Sequence, residues 1–248
     1  MKKLCLIMVC LLGVMHYSTA QFILKGKIEY EKTVNQHKQL AAAVDDDDDV
    51  SWINTIKKQI PELKHNYFNL LFSDNKMRYE PGRESNEKGI PWGEPPASDN
   101  VIYSDFTNVN TTVSKHVFEE SFLIQDSVKQ YKWHITNDTR KIAGFECRRA
   151  TTVIMDSIFV VAFYTDEIVL PGGPESFNGL PGMILGVVIP RLYTNWYATK
   201  IELEVKETVI APPKKGKTTS FKGMEKTVQD SLKKWGKWGA RYIWQIMI

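Results

Sequence analysis

Short alternations of apolar and polar residues recur along most of the chain. From Leu24 to Tyr30 every second position is charged, which is the period of a strand with one buried face. Similar strand-like runs follow at short spacing, at residues 66–72, 76–79, 101–104, 111–118, 122–125, 131–135, 145–155, 157–165, 183–189 and 193–210. Turn-forming residues separate several of them, including Ser73-Asp74-Asn75 and Asn137-Asp-Thr-Arg140.

Only two segments have the period of a helix. Residues 50–59 place Trp52, Ile53 and Ile56 on one face before Pro61, and residues 218–234 form the second candidate. Many strands and few helices, with no alternation between the two, predict a mainly β (α+β) fold. We expect a curved antiparallel sheet or half-barrel with one or two helices.

The first 20 residues have the pattern of a secretory signal peptide. Lys2 and Lys3 precede an apolar stretch from Leu4 to Met15, and small residues follow at positions 18–20. The predicted organisation is a signal peptide at 1–20 and one β-rich domain at 21–248. Cleavage would lower the formal net charge from +3 to +1 by removing two lysines, and it would leave Cys147 as the only cysteine.

A loop rich in glycine and proline lies between the runs 157–165 and 183–189. Its 12 residues, 171–182, intersperse proline, which fixes φ, with glycine, which admits positive φ. This pattern predicts one ordered conformation, with structural positions at Pro171, Gly173, Pro174, Gly179, Pro181 and Gly182. Two interpretations stay open: a rigid lip beside a binding pocket, or a structural plug that buries Leu180 in the domain's own core.

Two sequence blocks resemble the GLPGLI family of secreted bacterial proteins. The first comprises Trp133-His-Ile and Lys141-Ile-Ala-Gly-Phe-Glu-Cys-Arg-Arg-Ala-Thr151. The second comprises Tyr164-Thr-Asp-Glu-Ile168, Gly173-Pro174 and Gly179-Leu-Pro-Gly-Met-Ile-Leu185. The chain departs from the family pattern at Met183, where Leu is usual, and at Phe145, where Tyr is usual. The domain at 21–248 is therefore interpreted as a GLPGLI-type domain.

This resemblance implies a protein secreted to the periplasm of a Gram-negative bacterium, and it implies no particular reaction. The first block is also similar to the half-barrels of periplasmic lipoprotein carriers, a likeness at the level of the fold. That likeness implies a concave sheet around an apolar cavity. The residues expected to contact a ligand or partner are Trp133, Phe145, Leu180, Met183 and Ile184.

Motifs of established chemistry are missing from the sequence. The histidines have no HExxH spacing, and neither GxSxG nor GxGxxG occurs in the expected context. An EF-hand that started at Asp45 would need Gly and Glu where Val50 and Ile56 stand, so 45–49 is interpreted as a solvated acidic loop. We therefore predict no catalytic residue, no metal and no cofactor.

Three hypotheses of function follow. The first is a non-catalytic periplasmic binding protein for a hydrophobic small molecule, a lipid, or an apolar segment of an envelope partner. The alternative is a cell-envelope protein that docks another protein without a ligand cavity. The third is a hydrolase whose site only the fold assembles. Late aromatics among lysines, such as Trp235 and Trp238, would also suit peripheral membrane contact, and export argues against nucleic acid.

Overall fold

The computed structural model describes residues 22–43, 51–203 and 209–248. The predicted signal peptide at 1–20 and the acidic run at 45–49 lie outside the described residues. Within them the chain forms twelve strands: β1 (Gly26–Asn35), β2 (Leu63–Ser73), β3 (Lys76–Pro81), β4 (Val101–Asp105), β5 (Asn110–Val117), β6 (Glu120–Ser127), β7 (His134–Ile142), β8 (Phe145–Ile154), β9 (Ile158–Thr165), β10 (Met183–Ile189), β11 (Thr194–Glu202) and β12 (Lys217–Thr219).

All twelve strands belong to one open sheet. Their order is β12-β6-β5-β4-β3-β2-β1-β11-β10-β9-β8-β7. The mainly β class is therefore confirmed. The sheet is mixed and not purely antiparallel, because β12 pairs with β6 in the parallel direction. A connection after β11 carries the chain to the far edge of the sheet, where β12 runs alongside β6.

The described residues contain four α-helices, where one or two were expected. They are α1 (Gln36–Ala41), α2 (Ser51–Lys57), α3 (Phe221–Leu232) and α4 (Gly236–Met247), and a 3₁₀ turn spans Pro190–Leu192. The short α1 begins because the Asn35 side chain accepts a hydrogen bond from the Lys38 amide. None of the helices in this part of the chain has the length and apolar character needed to cross a bilayer.

Local turn chemistry explains why the hairpins form where the sequence predicts them. Asp74 and Asn75 both adopt positive φ, which is the geometry of a two-residue turn between β2 and β3. Met155 and Asp156 also adopt positive φ, in the three-residue loop between β8 and β9. The predicted turn at 137–140 is wrong, since these residues lie inside β7 at a register shift. A β-bulge accommodates the polar residues there without ending the strand.

The core lies on the concave side of a strongly curved sheet. One apolar cluster contains both Phe122 of β6 and Cys147 of β8, although each strand is next to an opposite edge of the sheet. The sheet curls, because Arg140 of β7 donates a hydrogen bond to the Tyr197 hydroxyl of β11 at 3.0 Å although three strands separate β7 from β11. Helices α3 and α4 pack against the first cluster with Met224, Val228 and Ile246. A second cluster gathers residues of β9, β10 and β11.

The Gly/Pro loop is ordered, as its composition predicts. The Gly179 amide donates to the Pro171 carbonyl at 2.9 Å, and the Ile184 amide donates to the Gly172 carbonyl at 2.8 Å. Gly182 has φ +144°, and a Cβ there would lie 2.1 Å from the Thr165 carbonyl oxygen. Only glycine fits that approach, so the loop makes a fixed corner against β9.

Candidate functional site

A pocket in the described part of the chain opens beside the Gly/Pro loop, whose Glu175 lines it. Its cavity volume is about 90 Å³, so it can take one part of a ligand and does not enclose a whole drug-sized molecule. Strands β1, β2 and β11, helices α1 and α4, and the loop between β3 and β4 contribute its walls. Its polar lining includes Lys32, Gln36, Gln39, Lys64, Asn66, Glu94, Glu175, Thr194 and Arg241, and its aromatic residues are Trp196 and Tyr242.

Glu175 is the most deeply buried charge of this pocket. It is 2% exposed, and the Gly/Pro loop holds it in a left-handed conformation with φ +52°. Such a backbone is uncommon for a residue with a long side chain. Its Oε2 accepts a hydrogen bond of 2.8 Å from Asn100 Nδ2, and its Oε1 lies 3.7 Å from Lys32 Nζ. The pairing stabilises a carboxylate that burial alone would disfavour.

Lys32 connects Glu175 to the aromatic wall. Its Nζ lies 4.9 Å from the centre of the Trp196 ring and 5.8 Å from that of Phe68. A cation at this distance is attracted by the negative face of the ring. The ammonium therefore has a carboxylate and an aromatic face as fixed partners, and it gives the inner wall a defined arrangement.

Two further lysines stand below the pocket and hold the end of α4. Lys115 Nζ donates to the Ile246 carbonyl at 2.8 Å, and Lys129 Nζ donates to the Met247 carbonyl at 2.7 Å. Desolvation lowers the pKa of Lys115 to about 8 and that of Lys129 to about 7, although the negative charge of Glu175 opposes both shifts. The same two causes, burial first and Glu175 second, raise the pKa of Tyr79 and Tyr131.

Several buried polar atoms around the pocket have no hydrogen-bond partner among the described residues. They include Arg241 Nε, which lines the pocket, and Asn100 Oδ1, whose amide nitrogen is bonded to Glu175. The first is a donor and the second is an acceptor. Burying such atoms without partners costs free energy. A ligand whose groups both donate and accept would remove that cost.

The rim of the pocket is fastened by polar contacts between separate elements. The Lys64 ammonium forms an ion pair with Glu94. Gln36 Nε2 donates to the carbonyls of Pro61 and Lys88, while Gln39 Nε2 donates to the Leu192 carbonyl. These contacts tie α1 to the loop between β3 and β4, so the mouth has a defined shape.

The five contact residues predicted from sequence lie outside this lining. Leu180 and Ile184 are buried in the second apolar cluster, against which Trp133 packs, and the Trp133 indole N–H donates to the Asn178 carbonyl at 2.8 Å. Met183 is buried in the first cluster, and Phe145 packs against it. The structure therefore places Trp133, Leu180 and Ile184 at one apolar cluster and Phe145 and Met183 at the other. Their role in contacting a ligand stays a prediction.

The sequence reasoning missed the residues that line the pocket. Glu175 had one usable signal, because it is the only charged residue between Glu167 and Arg191. Lys32, Arg241 and Trp196 had none, since each becomes part of the pocket only through pairing of distant strands and packing of α4. No group of three or more His, Cys, Asp or Glu that could hold a metal ion occurs among residues 22–43, 51–203 and 209–248.

Comparisons with known proteins identify one family. The model of the "N-glycanase peptide, N-terminal domain" matches residues 98–223. Two solved structures of PNGF-II, in different space groups, share this fold at 14% identity, with TM-scores of 0.53 and 0.52. They cover 86% and 79% of this chain, which spans 34% and 31% of theirs, about a third of their length. No curated protein matches the chain.

The family match corrects the resemblance to GLPGLI proteins. The blocks that suggested it lie largely within β7, β8, β9 and the Gly/Pro loop, and these fall inside the matched range of the other family. The error has a physical cause. A short Gly/Pro motif specifies a tight corner between two strands, and a sheet of another family can require the same corner.

Proposed function

Because this chain belongs to the family of the N-glycanase peptide, N-terminal domain, we propose that it acts on N-linked glycoproteins and that the pocket around Glu175 binds the carbohydrate of such a substrate. The observation that carries this proposal is the position of the family match. Residues 98–223 include Glu175, Thr194 and Trp196, which line the pocket.

The chemistry of the pocket supports a sugar as its ligand. Each sugar hydroxyl both donates and accepts a hydrogen bond. The pocket lining offers a donor at Arg241 Nε and an acceptor at the Glu175 carboxylate. A site built to pair with hydroxyl groups discriminates strongly against analogues that lack them, because its own polar groups would then stay buried without partners.

This proposal replaces the functions expected from the sequence. A non-catalytic binding protein for a hydrophobic molecule or lipid is wrong, and so is a cell-envelope docking protein, because the family is that of an N-glycanase. The deepest polar group of the pocket is a paired carboxylate, which an acyl chain could not satisfy. Secretion of this protein agrees with a glycoprotein substrate. Its location in the periplasm of a Gram-negative bacterium stays a proposal.

Titration calorimetry with a matched pair of peptides tests the proposal. One peptide carries a single N-linked glycan, and the other has the same sequence without it. We expect the glycosylated peptide to bind and the bare peptide to bind at least about tenfold more weakly, as hydrogen bonds to charged groups predict. Equal binding of the two, or no binding of either, would refute the proposal.

Two carboxylate variants locate the site. Glu175→Gln should weaken binding of the glycopeptide about tenfold, since the amide keeps the shape but loses the charge that accepts the bonds. Glu146→Gln, on the exposed face of β8, should bind as the parent does. Circular dichroism and thermal unfolding show whether each variant is folded. Asn100→Ala, which removes the partner of Glu175, gives a second measurement at the same site.

A further inference from the structure

Five aromatic residues form a strip that borders the mouth of the pocket. This aromatic strip consists of Trp52, Trp92, Tyr242, Trp235 and Phe118. The ring centres of Trp52 and Trp92 lie 6.1 Å apart. Those of Phe118, Trp235 and Tyr242 are separated by 5.7, 6.0 and 6.4 Å, and the Trp92 side chain hydrogen-bonds to Tyr242. The five rings therefore form one continuous series.

The strip is exposed to an unusual degree for such large side chains. Trp52 is 40% exposed, Trp92 47%, Trp235 50% and Phe118 42%. Trp52, Trp92 and Trp235 are the only exposed tryptophans among the side chains that the structure describes. Their clustering at one place is informative, because single exposed apolar residues are common whereas grouped ones mark interaction sites.

The strip is continuous with the pocket. Tyr242 lines the pocket, and so do Ile90 and Glu94, the residues two positions before and after Trp92. On the other side, Trp52 precedes Ile53, which is buried in a small cluster with Leu40 of the pocket wall. A ligand bound in the pocket and extending outward would therefore meet these rings.

The rings are held in place by the fold. Ile53 anchors α2, and the hydrogen bond to Tyr242 restrains Trp92. Phe118 stands in the turn between β5 and β6 with φ +56°, a strained backbone for a bulky residue. Strain of this kind persists where the surrounding structure imposes it, often at ligand-binding positions. Restrained rings lose little conformational entropy when a ligand binds.

We propose that the aromatic strip binds the outer part of an oligosaccharide, whose pyranose rings stack on the exposed aromatic faces. The inference rests on the proposed function and adds a second place of contact. A pyranose ring presents a face of C–H bonds carrying slight positive charge, and the face of an aromatic ring carries slight negative charge. Its hydroxyl groups point outward from the edge and stay in water.

The surroundings of the strip favour a sugar over a membrane or a second copy of the chain. Lys233 and Lys234 directly precede Trp235, Glu119 follows Phe118, and Glu94 stands beside Trp92. Charged residues of both signs between the rings suit a hydrated ligand. They are depleted in the centre of protein interfaces, and the acidic ones disfavour an anionic lipid surface.

Titration with a free oligosaccharide, which carries the glycan but no peptide, tests the strip. Trp52→Ala and Trp235→Ala should each weaken its binding about threefold to tenfold, the range of one aromatic contact. Trp52→Tyr should restore most of the affinity because it restores a ring. Phe159→Ala removes an exposed ring of β9 and serves as the control, with unchanged affinity. These side chains are exposed, so truncation should leave the fold intact.

The outcomes separate the strip from the pocket. If Glu175→Gln weakens binding of the glycopeptide while the strip variants bind the free oligosaccharide as the parent does, the strip proposal is overturned and the pocket stands. If the parent binds neither glycopeptide nor free glycan, the proposed function is refuted, and the strip inference that rests on it is refuted as well. If the strip variants instead change only the sedimentation of a dimer or the binding to anionic vesicles, the strip has another occupant and the inference is wrong.

Discussion

Two buried tyrosines show how differently the same side chain can act at neighbouring places in this core. The Tyr30 hydroxyl donates to the Ile184 carbonyl at 2.6 Å and so holds β1 to the strand after the Gly/Pro loop. The Tyr164 hydroxyl is also buried, but it has no partner among the described residues. The free-energy cost of burying the hydroxyl is offset by a hydrogen bond at Tyr30, and it is not offset at Tyr164.

Replacing each of these tyrosines by phenylalanine should therefore have different effects. Tyr30→Phe should lower the free energy of unfolding by about 1–3 kcal/mol, because it leaves the Ile184 carbonyl buried without a partner. Tyr164→Phe should be nearly neutral or slightly stabilising. Urea denaturation at neutral pH measures both. Equal losses in the two variants would show that the bond from Tyr30 to Ile184 does not support the fold.

At the scale of elements, the hairpin of α3 and α4 is stabilised at its two ends by different chemistry. Ser220 accepts a hydrogen bond of 3.1 Å from the Gly223 amide and so begins α3. Lys115 and Lys129 satisfy carbonyls of the last turn of α4, where a cation also suits the helix dipole. Because these lysines lie in the interior, their charge opposes the folding that their hydrogen bonds support.

The pH dependence of stability should reveal this opposition. Burial lowers the pKa of Lys115 to about 8 in the folded state, whereas an unfolded lysine titrates near about 10.4. Between these values the unfolded chain binds a proton that the folded chain has released, so this contribution to the free energy of unfolding rises with pH. Below about pH 8 the lysine is charged in both states and the contribution is constant.

Lys115→Met removes that contribution, and it also removes a charge that helps to lower the pKa of Lys129, which acts in the same direction. Relative to the variant, the parent should become more stable as the pH rises from about 8 towards 10, as measured by urea denaturation at several pH values. The tyrosines and Cys147, whose pKa values burial raises, are present in both proteins and cancel in the comparison. Lys222→Met, at an exposed position, should keep the slope of the parent. Parallel profiles of the Lys115 variant and the parent would contradict the prediction.

For the whole molecule, the strand order creates a gradient from a protected centre to exposed edges. Strand β1 stands between β2 and β11, and Ile28 and Tyr30 on it are fully buried. Strand β7 is the last strand of the sheet, is interrupted by a register shift, and has exposed side chains along most of its length. Local opening should therefore cost least at β7.

Hydrogen exchange followed by mass spectrometry should reproduce this gradient. Peptides from β1, β2 and β11 should exchange most slowly, near the rate of global unfolding, and peptides from β7 should exchange fastest among the strands longer than three residues. The three-residue β12 provides an internal reference at the opposite edge. Uniform protection from β7 to β1 would mean that the sheet opens as one unit.

The elements that sequence reasoning placed well are those specified by local chemistry. The β2–β3 hairpin needed only Asp74 and Asn75 in positive φ, and the β8–β9 hairpin needed Met155 and Asp156. The turn expected at 137–140 failed because its polar residues also suit an exposed edge strand. Helices α1 and α4 were both missed, α1 because six residues give too short a period to recognise.

The candidate site was almost wholly invisible to the same reasoning. Lys32 Nζ lies 3.7 Å from Glu175 Oε1, although the two residues are far apart in sequence. Nothing in the local pattern near either residue indicates the other. The aromatic strip is similar, since Trp92 comes from a loop and Tyr242 from a helix that lies 150 residues later in the chain. Spacing rules describe neighbours along one element, whereas these contacts require several elements to pack.

The sequence by itself determined the mainly β class, most strand positions and the ordered corner at Gly182, because backbone sterics and the alternation of side chains act over a few residues. Only the tertiary structure decided the mixed sheet, the pocket around Glu175 and the strip beside it. Those features depend on which distant strands pair and on how α4 packs against the curved sheet. Their free energy comes from burial shared between elements, which no single segment of the chain encodes.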